Sequence, residues 1–147
     1  MKERIPIGAD HAGYDMKQSL VAHLSERGYD PKDVGTHSRA ASDYPDFGHP
    51  VARDVSNGVV RRGVLLCGSG QGMAMLANRY PHVRAALVWN PEMAALARAH
   101  NDANILVIPS RFVTDDDARV MLDAWLDTPF ENGRHTPRVI KIEPPEE

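Results

Sequence analysis

The stretch from Val64 to Ala77 constrains the fold of this chain more than any other. Val64-Leu65-Leu66-Cys67 is a short apolar run that ends in the only cysteine. Gly68-Ser69-Gly70-Gln71-Gly72 follows at once, and Met73-Ala74-Met75-Leu76-Ala77 then continues as an apolar, helix-forming run. A strand with no polar alternation is buried on both faces, a property of parallel sheets. A glycine-rich turn from such a strand directly into a helix is the repeating step of a doubly wound α/β domain. The same turn has chemical potential. Partial positive charge at a helix N-terminus favours a thiolate, and glycines let the backbone close around an oxyanion.

The rest of the chain keeps the alternation. Ile5–Ala9, Arg84–Trp89 and Asn104–Ile108 read as strands, and Gly63–Cys67 is the clearest one. Tyr29–Val34 is a weaker strand that Pro31 limits to an edge or to part of the run. Met16, Leu20, Val21 and Leu24 share a helical face that Gly28 closes, and Tyr44, Phe47, Val51 and Val55 mark a second helix, its start blurred by Pro45 and Pro50. Gln71–Tyr80 predicts a third helix, and Pro91 opens a fourth that runs to about His100. Thr114 caps a fifth, with Asp115, Asp116 and Asp117 in its first turn and its end near Leu126. Thr36–Asp43 and Pro129–His135 read as loops, Pro137–Ile142 as a last helical stretch, and the Pro144-Pro145-Glu146-Glu147 tail as frayed. Trp89 and Trp125 fall on segments that look like core. The expectation is one domain over residues 1–147: a three-layer, doubly wound, Rossmann-like α/β domain on a five-stranded parallel sheet.

Composition narrows the function. A chain of 147 residues, 42% hydrophobic and 25% charged, suits a soluble domain with a full core. Its net charge of -3 gives no electrostatic case for nucleic acid or a membrane surface. No stretch approaches the ~20 apolar residues of a membrane span, and Met1–Ile7 has too short an apolar run for a signal peptide. A single cysteine excludes an intrachain disulfide framework and leaves a thiol redox protein without a resolving partner. A free functional thiol fits a reducing cytoplasm.

Doubly wound sheets bind ligands outside the carboxyl ends of their strands. Asp10 and His11 fall there after the first strand, Cys67 after the third and Arg111 after the fifth. Each has a plain structural reading beside the functional one. Cys67 reads as a core cysteine or as a reactive thiol, and the alternate glycines favour the second, because they are costly unless something approaches the backbone closely. Asp10-His11 reads as a loop pair or N-cap, or as site residues. His100 and Asn101 close the fourth helix, where a histidine is often only a favourable charge. Arg134 and Arg138, four apart, are a solvated face or a pair converging on an anion.

Rival motifs fail on the letters. No Lys-Ser or Lys-Thr follows the glycines as a P-loop requires, and a dinucleotide fingerprint needs Gly at position 73, where Met73 stands. A cysteine-dependent phosphatase would need Arg at that same position. Neither the lone cysteine nor the seven histidines show zinc spacing, and Asp115–Asp117 lacks the glycine and glutamate of a calcium loop, so no metal is expected.

Taken in order, Gly8-Ala9-Asp10-His11-Ala12-Gly13, Asp43-Tyr44-Pro45, Cys67-Gly68-Ser69-Gly70-Gln71-Gly72, His100-Asn101 and Arg134-His135-x-x-Arg138 resemble the ribose-5-phosphate isomerase B family, whose relatives isomerise allose 6-phosphate and galactose 6-phosphate. The resemblance covers nearly the whole chain. It implies a cofactor-free aldose–ketose isomerase working through a cis-enediolate. Cys67 would move the proton between C1 and C2, with its pKa brought towards neutrality. Backbone N–H groups of Gly68, Gly70, Gln71 and Gly72 would hold the enediolate oxygens, and Ser69 would assist proton movement between them. His100 would open the furanose ring, with Asp10 and Asn101 orienting hydroxyls. His11, Arg111, Arg134 and Arg138 would hold the phosphate, and Tyr44 would wall the pocket. The family's sites lie between subunits, which implies a homodimer or a dimer of dimers, with His100 and the C-terminal arginines serving a neighbour's site. One branch of the family uses a glutamate just beyond the glycine loop, where this chain has Met73. Ser69 stands where many relatives have Thr, and Pro137 interrupts a usually more basic stretch. The readings left open are ribose 5-phosphate isomerisation, a hexose 6-phosphate isomerase, and a non-catalytic sugar-phosphate-binding module on the same fold.

Overall fold

A computed structural model describes residues 1–146; Glu147, the end of the proline-rich tail, lies outside the described residues. The elements are β1 (Arg4–Ala9), a 3-10 turn (His11–Gly13), α1 (Tyr14–Glu26), β2 (Asp30–Asp33), α2 (Tyr44–Ser56), β3 (Gly63–Cys67), α3 (Gln71–Ala77), β4 (Ala85–Leu87), α4 (Pro91–Asn101), β5 (Ile105–Pro109), α5 (Asp115–Asp127), a second 3-10 turn (Gly133–His135) and α6 (Thr136–Ile140). All strand pairs are parallel, in the order β2-β1-β3-β5-β4. The expected five-stranded, doubly wound sheet is therefore present, and the Pro31 strand lies at its edge, where a missing N–H costs no ladder bond.

Alternation along the strands divides the core in two. Ile5, Ile7 and Ala9, Val64 and Leu66, and Leu106 and Ile108 face α1, α4 and α5 on one side. Leu65 and Cys67, with Ile105 and Val107, face α2 and α3 on the other. The chain leaves β1 for the first face and β3 for the second. The adjacent carboxyl ends of β1 and β3 thus form a topological switch point, where a crevice opens because the two connections diverge.

Several boundaries differ from the sequence expectation, each for a local reason. α3 ends at Ala77 rather than Tyr80, because the Asn78 side chain pairs with both backbone groups of Ala85, at 3.0 and 2.8 Å, and turns the chain. β4 shortens to Ala85–Leu87, since Asn90 is already the N-cap of α4, accepting from the Met93 N–H at 2.8 Å. Trp89, past the end of that strand, is 56% exposed and is not core. Trp125 is fully buried, and its Nε1 donates to the Ala103 carbonyl at 3.1 Å. Thr114 caps α5 as expected, in a reciprocal capping box with Asp117. No helix among the described residues is long and apolar enough to cross a membrane.

Candidate active site

Three strand ends are tied together above the sheet. Beyond β5, the Ser110 N–H donates to the Cys67 carbonyl at 3.0 Å and its hydroxyl to the Ala12 carbonyl at 3.1 Å, while the Arg111 N–H donates to the Gly68 carbonyl at 3.0 Å. The result is a cleft of about 360 Å³ lined by Asp10, His11, Tyr44, Cys67, Gly68, Ser69, Gly72, Arg111 and Phe112.

The glycines of the turn are explained by their neighbours. A Cβ on Gly68 would stand 3.1 Å from Arg111 Cδ and Nε, so the guanidinium lies across the backbone only because no side chain is there. A Cβ on Gly72 would stand 2.4 Å from Tyr44 Cζ, so the phenol ring is seated on the first turn of α3. Gly70 has φ +75 and would clash with Leu87 at 2.4 Å, so it needs both the left-handed conformation and the missing side chain.

Cys67 is buried, facing α2 and α3. Burial pushes its thiol above the ordinary value and the Asp10 carboxylate adds to this, while N–H groups of Met73, Gly70 and Gly72 pull it down without prevailing. The expectation that the helix N-terminus brings this pKa towards neutrality is therefore corrected: desolvation outweighs three N–H dipoles. Position 73 is a fully buried Met, a side chain with no carboxylate to replace the thiol.

Asp10 caps the 3-10 turn, its Oδ1 accepting from the Ala12 and Gly13 N–H groups at 3.0 and 3.3 Å. Capping occupies only one carboxylate oxygen, so the structural reading and the site reading coexist. His11 is pinned by Ser42: the Ser42 N–H donates to Nδ1 at 3.1 Å, and the His11 N–H donates to the Ser42 hydroxyl at 3.1 Å. That fixes the tautomer, leaving Nε2–H as the free donor of a ring that lines the cleft. Ser69 Oγ accepts from the Gln71 N–H at 3.3 Å. The loop carrying Ser42 is braced by Lys17, a fully buried lysine whose Nζ meets Asp33 at 2.7 Å while Asp33 also accepts from the Gly35 N–H. Sequence reasoning missed Ser42 and Lys17. Lys17 directly follows Met16 on the first helix, and its burial is the signal that needs coordinates.

His100, Asn101, Arg134 and Arg138 are elsewhere. α4 closes beside the amino ends of the strands, where the Asn104 carbonyl accepts from Gly63, the first residue of β3. Five-residue β3 separates that end from Cys67 by about 13 Å. None of the four lines the cleft. They gather instead around α4 and the C-terminal turn. The rings of His100 and His135 stack with centroids 4.4 Å apart, and Glu131 joins them. Burial, with the charges of His100 and Arg134, holds the His135 imidazole below the usual histidine range against the pull of Glu131. Arg134 and Arg138 are both exposed.

Beside the cleft lies an apolar hollow of about 390 Å³ between Leu87, Trp89, Pro109 and Phe112, reached from Ser69 and Gln71. Trp89 and Phe112 are 56% and 73% exposed.

A buried thiol at a switch point, ringed by backbone N–H groups, an arginine and a histidine donor, defines a small-anion site suited to proton transfer on a phosphorylated substrate. The comparisons agree with that class. The Ribose/Galactose Isomerase family profile matches residues 5–142, and the chain belongs to this family. It is 42% identical over 140 residues to ribose-5-phosphate isomerase B of Escherichia coli, covering 95% of this chain and 94% of that protein. A ribose 5-phosphate isomerase from Thermotoga maritima superposes with a TM-score of 0.93 at 42% identity, covering 97% of this chain and 99% of that one. The Mycoplasma genitalium ribose-5-phosphate isomerase B, solved with bound ribulose 5-phosphate, gives 0.92 at 42% identity over 97% and 95%.

Proposed function

We propose that this chain interconverts ribose 5-phosphate and ribulose 5-phosphate as a homodimer with shared sites. Family membership and the relatives' activity support the reaction. The observation that carries the local reading is Cys67, buried at the carboxyl end of β3 under the N–H groups of Gly70, Gly72 and Met73. In its thiolate form Cys67 takes the C2 proton of the open-chain aldose, and the C–H electron pair forms the C1=C2 bond of an enediolate. The Gly68–Gly72 backbone N–H groups hold the developing oxygen charge. Ser69 passes a proton between the two oxygens, and the thiol returns its proton to C1. His11 and Arg111 hold the phosphate from the same chain, and Asp10 and Tyr44 position the sugar. Gln71 opens α3, and its N–H holds the Ser69 hydroxyl at the edge of the site.

Ring opening needs a further acid–base group, because the ionisable residues that line the cleft of one chain besides Cys67, namely Asp10, His11, Tyr44 and Arg111, are given to holding the substrate. The partner's His100, with its Asn101, supplies that group, and the partner's Arg134 and Arg138 complete the phosphate clamp. Two observations support a partner. The two half-sites lie at opposite ends of one sheet, and the exposed Trp89 and Phe112 flank the cleft as a contact surface does.

Incubation with ribose 5-phosphate in D2O, followed by NMR, tests the reaction. Ribulose 5-phosphate with deuterium beside the carbonyl is the expected product. Turnover only of allose or galactose 6-phosphate would move the substrate to a hexose, and silence on all three would leave a sugar-phosphate-binding module. Mixing tests the shared site. Cys67→Ala and His100→Asn chains are each inactive, but a co-refolded equimolar mixture recovers about a quarter of wild-type activity. Half of the dimers are then mixed, and each mixed dimer has one intact site of two. A mixture as inactive as its parents would refute the sharing.

A further inference from the structure

The cluster at the amino end of the sheet brings two imidazoles and a carboxylate together. Glu131 Oε1 stands 3.7 Å from His100 Nε2 and also 3.7 Å from His135 Nε2. Both separations exceed hydrogen-bond range, and the two contacts share a single oxygen. All three donor atoms lie within 4.8 Å of one another. Bonds of ~2.1 Å meeting tetrahedrally put neighbouring donors about 3.4 Å apart, so each carboxylate–imidazole separation is within a few tenths of an ångström of a coordinated one. The rings are stacked with an interplanar angle of 13°, so their in-plane lone pairs run side by side and one ring must rotate about its side-chain bonds to aim at the same ion. His100 can move, because its side chain is 38% exposed at a helix end.

We propose that His100, Glu131 and His135 form a binding site for a divalent transition metal of the zinc class, and that occupancy blocks isomerisation by taking His100. The donor set selects the ion. Two imidazoles and one carboxylate suit Zn2+ and its neighbours, whereas Mg2+ and Ca2+ prefer oxygen. Three protein ligands leave a fourth position open to solvent, as in accessible zinc sites. The nearby Arg134 and Arg138 oppose a bare cation, and Glu131 offsets one of their charges, so the site is reversible rather than structural. The inhibition rests on the ring-opening role given to His100; the metal site itself does not.

The test is calorimetric titration of ZnCl2 into the full-length protein, with Co2+ absorption as a second readout. Wild type is expected to bind one Zn2+ per chain, and visible Co2+ bands without a thiolate charge-transfer band place it on nitrogen and oxygen. Cys67→Ala keeps the binding, which excludes the thiol as ligand. Glu131→Gln, at an exposed position, weakens it at least tenfold, and ribose 5-phosphate turnover by that variant becomes insensitive to Zn2+ that halves the wild-type rate. Binding that is absent in wild type, unchanged in Glu131→Gln or lost in Cys67→Ala would overturn the site. Binding as described with no isomerase activity in any chain would instead count against the reaction proposed above and leave the site standing.

Discussion

Gly72→Ala isolates the part that backbone bareness plays in the cleft. The new Cβ would lie 2.4 Å from Tyr44 Cζ and 2.7 Å from both its Cε2 and its hydroxyl. Reaching an ordinary contact of about 3.4 Å requires the ring to retreat by about 1 Å. Tyr44 can do this cheaply, because it is 37% exposed and sits on the first turn of α2. Within α3 the substitution replaces glycine by alanine, worth about 0.5–1 kcal/mol in favour of the helix. The displaced ring costs a similar amount, so the melting temperature is expected to stay within about 4 °C of wild type. Alanine also keeps the Gly72 N–H that faces Cys67. The effect is therefore confined to the wall of the site. A misplacement of ~1 Å in a positioning group reduces rates by up to 100-fold, and a fall in kcat/KM of at least tenfold is expected from steady-state isomerisation of ribose 5-phosphate. Repeating the change on a Tyr44→Ala background closes a double-mutant cycle. With no ring to displace, Gly72→Ala should cost less than threefold there. An equal loss on both backgrounds would show that Gly72 acts by some route other than Tyr44, and would refute the reasoning.

Other perturbations probe separate links. The raised Cys67 pKa predicts that kcat/KM climbs with pH along a limb above the ordinary thiol value of about 8.5; a limb centred below pH 8 in the free enzyme would contradict it. The sign for stability follows from the same direction: the fold favours the neutral thiol, so that contribution is full below the unfolded pKa and is lost as pH rises through the folded one. Urea melts at increasing pH should show this decline in wild type and not in Cys67→Ala. Ser42→Ala removes the hydroxyl that accepts from the His11 N–H and keeps the N–H to Nδ1, so KM should rise a few-fold with kcat nearly unchanged; a kcat effect alone would place His11 in the chemistry rather than in binding. Lys17→Met leaves Asp33 without its cation, and because Asp33 is 27% exposed, water takes over part of that role and the loss should be about 1–3 kcal/mol by urea unfolding. No change would mean that the pair does not brace the loop.

The architecture was legible because the central strands β3 and β5 are uninterrupted apolar runs and the fourth and fifth helices begin at residues with a physical reason to be there, Pro91 and Thr114, whereas the edge strand β2, Asp-Pro-Lys-Asp, is the one the pattern marks least. Boundaries failed where a nearby polar side chain, rather than the apolar pattern, decided them. Nothing around Asn78 reveals that its amide will pair with Ala85, and nothing in Trp89 reveals that Asn90 will stop the strand two residues early. Hydrophobicity alone put Trp89 and Trp125 in one class, yet one is buried with its N–H bonded and the other is exposed beside the cleft.

The site divides the same way, and the division is informative. Residues at strand ends could be placed by topology, since the rule that ligands sit outside carboxyl ends needs only the order of strands and helices. The glycines could be recognised as sites of close approach, but the approaching groups, Arg111 and Tyr44, are supplied by other segments. A motif on paper states what a backbone permits, while only the fold states what takes the permission. His100 shows the other limit. Its helix ends at the wrong end of its own sheet for the cleft, and no reading of one chain can make the two meet. An element that is well formed yet misplaced for the reaction is itself an argument for a second copy, and the mixed-dimer recovery of about a quarter is the number on which that argument stands.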